Sequence, residues 1–237
     1  MSNYSKFIQR SEKIAEDRGH LLKILKAVNT HDSKVEAMKT GQFRNWETAR
    51  GEAEKIKEHV LENLPRLLEQ FEQTITGRGA EIMWAQNSSE AQKYFLDICR
   101  KHQARKVIKS KSMTTEEVSL NETIESAGME VWESDLGELI VQLAGEKPYH
   151  IVTPAMHKST AEIAELFHEK LGTPLTDSAE ELTMAARAYL RDAYISADVG
   201  VTGANFLIAR EGAVVITDYY AGQRLLLVSV RLPVAEE

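Results

Sequence analysis

One cysteine, Cys99, stands in the whole chain of 237 residues. A lone thiol closes no internal disulfide and cannot supply the thiolate set of an iron–sulfur cluster or a Cys-type zinc site. Positive charge is not in excess either. A net charge of −7 gives general nucleic-acid binding no compositional support, so no nucleic-acid partner is expected. No apolar run approaches the roughly 20 residues that span a bilayer, and no membrane partner is expected. The opening residues, MSNYSKFIQR, lack the apolar core of a signal peptide, so the expected location is cytoplasmic. The phosphate-binding P-loop and the dinucleotide glycine fingerprint are both absent. His150 and His157 are too far apart in sequence for a metal pair on one helical turn, and no metal site is expected.

What is present is a regular alternation of short strands and capped helices. The stretch that organises it is Ala197 to Tyr220, with a glycine-rich shoulder from Ala197 to Asn205. Phe206 to Ala209 and Ala213 to Thr217 read as two strands, turned by Arg210, Glu211 and Gly212, where Gly212 is free to take positive φ. Upstream, strands are expected at Ala80–Ala85, Lys106–Lys109, Met129–Glu133 and His150–Thr153, and a last one at Leu225–Val230. Capping patterns begin the intervening helices at Asn87, Thr114, Asp135, Ser159 and Asp177. One helix is expected to run from the Thr114 cap to Gly128. This alternation predicts an α/β fold with a mainly parallel sheet and flanking helices over residues 79–237.

Residues 1–78 form an N-terminal helical extension. Gly19 weakens its first part, and Trp46, Ala49, Ala53, Ile56, Val60, Leu64, Leu67 and Phe71 draw an apolar stripe through the second. Pro65 must end or kink that helix, with Asn63 placed to cap the next. The stripe suits packing on the body of the domain. A homo-oligomer seam through the N-terminal helices is the alternative.

Ligands of parallel sheets bind at the carboxyl ends of strands, which selects particular loops. Lys109, Ser110, Lys111 and Ser112 lie between a strand and a helix and suit a small anion, although a solvated polar turn explains them equally well. Glu133, Asp135 and Glu138 form an acidic group at the next strand end. Asp135 and Glu138 also make an ordinary cap there. His157 follows a strand where an imidazole can orient or deprotonate a hydroxy-acid. Asp198, Gly200, Thr202, Gly203 and Asn205 offer backbone and side-chain donors, or a turn that needs glycine. Cys99, in an amphipathic helix, reads as a buried inert thiol.

Ile108 to Met113, Glu117, Leu120 and Asn121, Glu133 to Glu138, Gln142 and Leu143, His150 to His157 and Ala197 to Asn205 together resemble the bacterial lactate-utilisation protein B family. The resemblance covers nearly all of the chain, is strongest from about residue 80 to residue 217, and falls on the LUD domain that forms that family's N-terminal portion. It implies a NagB/RpiA/CoA-transferase-like fold. It also implies an oxidoreductase subunit that works with other lactate-utilisation subunits in oxidising L-lactate to pyruvate. Family members carry iron–sulfur clusters in a C-terminal cysteine-rich domain, which has no counterpart in these residues, so no cofactor is expected within this chain. A second departure is Asp218 to Gly222, where the family usually reads Asn-Glu-Gly-Asn, and Gln223 to Glu237 also matches poorly. Truncation, a frameshift or divergence each accounts for both.

The resulting expectation is a subunit or ligand-binding domain whose ligand is a small anionic hydroxy- or keto-acid. Lys109, Lys111 and the glycine-rich shoulder would hold it, with Glu138 and His157 as the catalytic candidates. The alternatives are a non-catalytic assembly module and a stand-alone CoA-transferase-like or sugar-phosphate-isomerase-like enzyme. For the last of these only fold analogy speaks.

Overall fold

A computed structural model gives the architecture and describes residues 3–150, 153–216 and, in backbone, 225–230. Three parallel strands form the middle of the domain: β1 (Lys106–Lys109), β2 (Glu130–Glu133) and β3 (Val199–Ala204). The antiparallel strand β6 (Leu225–Val230) completes the order β2-β1-β3-β6. The fold is therefore α/β with a mainly parallel sheet, as the alternation of strands and caps requires.

Alternate residues of a strand face opposite sides of a sheet, and both sides here are covered. Val107, Val199 and Val201 pack with Phe95 and Cys99 of α5 (Ser88–Lys101) and with Leu120 and Ile124 of α7 (Leu120–Ser126). Ile108 faces the other way, toward Ala193 and Ala197 at the end of α10 (Ala179–Ser196). On that side α8 (Leu136–Ala144), α9 (Thr160–Leu171) and α10 share a core built on Leu139, Phe167 and Leu190.

The caps explain most helix starts. Asn87 accepts the amide of Glu90, Asp135 that of Glu138, and Ser159 that of Glu162. At Ser159 the box is reciprocal, because the Glu162 carboxylate also takes the Ser159 amide. The last helix is capped by Ser178, one residue after the expected Asp177.

Three expectations require correction. The segment 80–85 is not a strand: it finds no ladder partner among the described residues, and Trp84 reaches back to Glu72 at 3.1 Å. The helix expected from the Thr114 cap is two helices, α6 (Met113–Glu117) and α7, broken where Ser119 takes φ 50°. Thr114 lies inside α6, and the Gln92 side chain holds the break by donating to the Val118 carbonyl at 2.6 Å. The glycine-rich shoulder is not a loop either. Most of it is β3, and the predicted hairpin β4 (Phe206–Ile208) and β5 (Ala213–Val215) forms a separate two-stranded ribbon. The strand expected over His150–Thr153 includes residues 151–152, which lie outside the described residues, as do 218–222 and the tail from 231.

Four helices precede the sheet: α1 (Asn3–Glu16), α2 (Arg18–Gln42), α3 (Trp46–Glu62) and α4 (Leu64–Thr76). Asp17 caps α2, and Pro65 sits in the first turn of α4. The stripe divides at that proline. Phe71 of α4 is buried, whereas Ile56, Val60, Leu61 and Leu64 are exposed. Lys23 of α2 reaches the Glu162 carboxylate at 2.6 Å, and His20 meets the Tyr149 hydroxyl at 2.8 Å. No helix among the described residues is long and apolar enough to cross a membrane.

The hairpin tip leans on α4. Gly212 has φ +57°, and a Cβ there would fall 2.8 Å from the Ile75 amide nitrogen. Gly212→Ala is expected to cost about 1–3 kcal/mol, read as an earlier midpoint in urea unfolding. An unchanged midpoint would mean that the hairpin lifts off α4 freely.

Candidate functional site

The carboxyl ends of β1 and β2 carry the site. Lys109 is the last residue of β1 and Glu133 the last of β2, paired in parallel register. Their side chains are 3% and 5% exposed and meet at 2.9 Å, so this ion pair is buried. Lys109 also donates to the Thr115 hydroxyl at 2.8 Å, and that hydroxyl donates to the Ser112 carbonyl at 2.6 Å. Asn121 donates to Glu133 at 2.7 Å.

One turn outward the same chemistry repeats. Lys111, in the β1–α6 turn, meets Glu138 in the first turn of α8 at 2.7 Å. Glu138 is buried, while Lys111 keeps 24% of its side chain exposed. Glu116 of α6 adds a third carboxyl. Its pKa is pushed up to about 7 by partial desolvation and then by the nearby Glu138 charge, against the opposing pull of Lys111 and Lys109. Two ammonium groups thus pair with two buried carboxyls, while Glu116 is exposed nearby and Lys111 is partly open to solvent.

The remaining predicted residues divide between this cluster and other places. Ser110 donates to Thr202 at 2.7 Å, which joins the β1 turn to β3. Ser112 is buried, and its Oγ has no hydrogen-bond partner among the described residues. Gly200 and Gly203 lie within β3, and Asn205 follows it, donating its amide to the Val215 carbonyl at 3.0 Å. Asp198 sits at the amino end of β3, opposite the site. It accepts the Arg105 and Lys106 amides at 2.8 and 3.0 Å, and these bonds hold its carboxyl below the usual range. That is a strand lock between β3 and the start of β1.

His157 lies in a turn and pairs with Glu146 at 2.8 Å while stacking on Tyr149. Glu146 is shared with Lys158, whose hydrogen bond is the main reason its carboxyl titrates low. The two catalytic candidates therefore have separate partners, Glu138 in the Lys–Glu cluster and His157 in the Glu146 group.

Sequence reasoning passed over Glu116, and it offered Glu138 both as a catalytic candidate and as half of an ordinary cap with Asp135. Asp135 does cap α8, but the Glu138 side chain turns to Lys111. The available signal was the count of carboxyls against lysines around one strand end. Iron–sulfur chemistry does not fit these residues, because the one thiol, Cys99, is buried in the core and desolvation pushes its pKa up to about 11.

Comparison with known proteins agrees with this architecture. The LUD domain family matches residues 68–232. Lactate utilization protein B of Oceanobacillus iheyensis is 48% identical over 175 residues, which is 74% of this chain and 37% of that protein. The proteins of the same name from Bacillus licheniformis and Bacillus velezensis are each 44% identical, over 81% and 78% of this chain and 40% and 39% of theirs. The chain thus spans about two fifths of the length of the curated relatives it matches. No solved structure matches. With the family match running from α4 through the whole sheet, this chain belongs to the LUD domain family.

Proposed function

We propose that this chain is the LUD part of a lactate-utilisation protein that acts in oxidising L-lactate to pyruvate, and that it binds a small hydroxy- or keto-acid anion at the carboxyl ends of β1 and β3. The observation that carries the reading is Lys111, a cation at the mouth of a buried Lys–Glu cluster, in the same turn as Ser110, whose hydroxyl meets that of Thr202. An incoming carboxylate would compete with Glu138 for this ammonium. Oxidation of a hydroxy-acid to a keto-acid releases two electrons and two protons. The reading assigns electron carriage to partner lactate-utilisation subunits or to the further length of the relatives.

Calorimetric titration with pyruvate and L-lactate tests the site. Lys111→Ala is expected to weaken binding by about tenfold or more, the scale of one charge-assisted hydrogen bond. Unchanged affinity for both acids would remove Lys111 from the site.

A second reading, assembly, rests on the exposed part of the stripe on α3, where Ile56 is 64% and Val60 39% exposed. It can hold together with the first. Light scattering decides it: a monomer at all concentrations, unchanged by partner subunits, would leave the stripe without that role.

A further inference from the structure

Gln142 ties the helix that carries Glu138 to the strand that ends in Glu133. Along β2 the amides of Glu130 and Ser134 donate to the Arg105 and Lys109 carbonyls on the β1 side, so the backbone groups of Val131 and Glu133 face the other edge. The Gln142 side chain meets both residues there. Its amide donates to the Val131 carbonyl at 3.1 Å, and its oxygen accepts the Glu133 amide at 3.2 Å. One residue of a parallel neighbouring strand would make the same two bonds. α8 therefore cannot roll on the sheet without breaking them.

Glu138 lies four residues before Gln142, on the same face of α8. Asp135 holds the Glu138 amide at 3.0 Å, so this turn of helix is fixed at both ends. The carboxylate it carries is buried and accepts from Lys111 at 2.7 Å. Lys111 arrives on a separate turn and keeps a solvent side. A fixed carboxylate on a partly open ammonium has the chemistry of a bound carboxylate ligand. An anion coming from solvent meets that negative charge at the ammonium it needs.

We propose that Glu138 is an internal competitor of the anion site, standing in for a ligand carboxylate on Lys111, and that Gln142 is the positioning residue that holds it there. This rests on the anion-binding reading above and gives it a direction: the carboxylate at Lys111 weakens ligand binding. Removing either group should tighten the site. General loosening of a binding site does the opposite, so the sign of the change separates this role from a merely structural one.

The first measurement needs no ligand. Acetic anhydride labels free amines, and peptide mass spectrometry reads Lys111 against the exposed Lys93 in the full chain. Labelling of Lys111 should be several-fold faster in Glu138→Gln and in Gln142→Leu than in wild type. Should Gln142→Leu not fold, Gln142→Asn, too short to bridge both backbone groups, takes its place. Faster labelling in Glu138→Gln alone overturns the role of Gln142, and no change in either variant overturns the whole proposal. The second measurement is calorimetry with pyruvate at pH ~8, where Glu116 is ionised. Glu138→Gln should bind about tenfold more tightly than wild type, and the Gln142 variant should move the same way. Glu116→Gln is the control for charge alone and should tighten binding less. Equal tightening by Glu116→Gln, or weaker or unchanged binding in Glu138→Gln, overturns the competition and leaves the anion site standing. If pyruvate binds to none of these forms, the anion reading falls and the competition with it, whereas the labelling still decides whether Gln142 holds Glu138 on Lys111.

Discussion

Replacing Lys109 by methionine should lower the unfolding free energy by about 3–5 kcal/mol, one of the two largest effects expected from a single change in this chain. The cost comes from the partner left behind. Glu133 is 4% exposed, and one of its oxygens is held by Lys109 at 2.9 Å. Its other oxygen has no partner among the described residues, so losing the ammonium leaves a buried carboxylate with only the Asn121 amide. The Thr115 hydroxyl loses its donor in the same step. Replacing both members, Lys109→Met with Glu133→Leu, should recover most of the loss, because two well-packed apolar groups remove the uncompensated charge. Urea unfolding of the two single variants and the double variant measures the coupling. A single-variant loss below about 1 kcal/mol would mean that water reaches Glu133, so that the cluster is wetter than its burial indicates.

The pair also shows how far the sequence could be read. Lys109 and Lys111 both stand out as cations at a strand end, but nothing in their spacing separates them. The end of the strand does: Lys109 is still in β1 and is drawn inward by its register with Glu133, whereas Lys111 lies past the strand and keeps a solvent edge. That distinction needs the β1–β2 pairing, which is a long-range fact. Local signals served better. Asp135, Ser159 and Gly212 each act within four residues of themselves, and each behaves as its sequence requires. The failures also have local-versus-distant causes. Ala80–Ala85 has strand composition but no neighbouring strand among the described residues, and the helix after Thr114 breaks where Gln92, more than twenty residues upstream, donates to the Val118 carbonyl. Asp198 reads as a ligand donor beside glycines. Its real partners are two amides at the start of β1, almost a hundred residues earlier in the chain.

Phe167→Ala should cost about 3–5 kcal/mol, comparable to the loss of Lys109, but by cavity formation rather than by stranding a charge. Phe167 of α9 is fully buried and packs with Leu139 and Ile140 of α8 and with Leu182, Ala186 and Leu190 of α10. It therefore braces α8, the helix whose first turn carries Glu138. Phe95→Ala is the matched control. Phe95 is equally buried, but it lies on the opposite face of the sheet with Val107, Leu120 and Ile124. Both variants should lose similar stability in urea, since both delete a phenyl ring from a closed core. They should differ at the site. Loosening α8 relaxes the contact of Glu138 with Lys111 and moves its charge away from Glu116, so Phe167→Ala should also lower the pH at which Glu116 titrates. In Phe95→Ala the titration of Glu116 should stay near that of wild type. Equal disturbance of the site by both variants would place the control of Glu138 in the sheet itself rather than in the helix layer that Phe167 holds together.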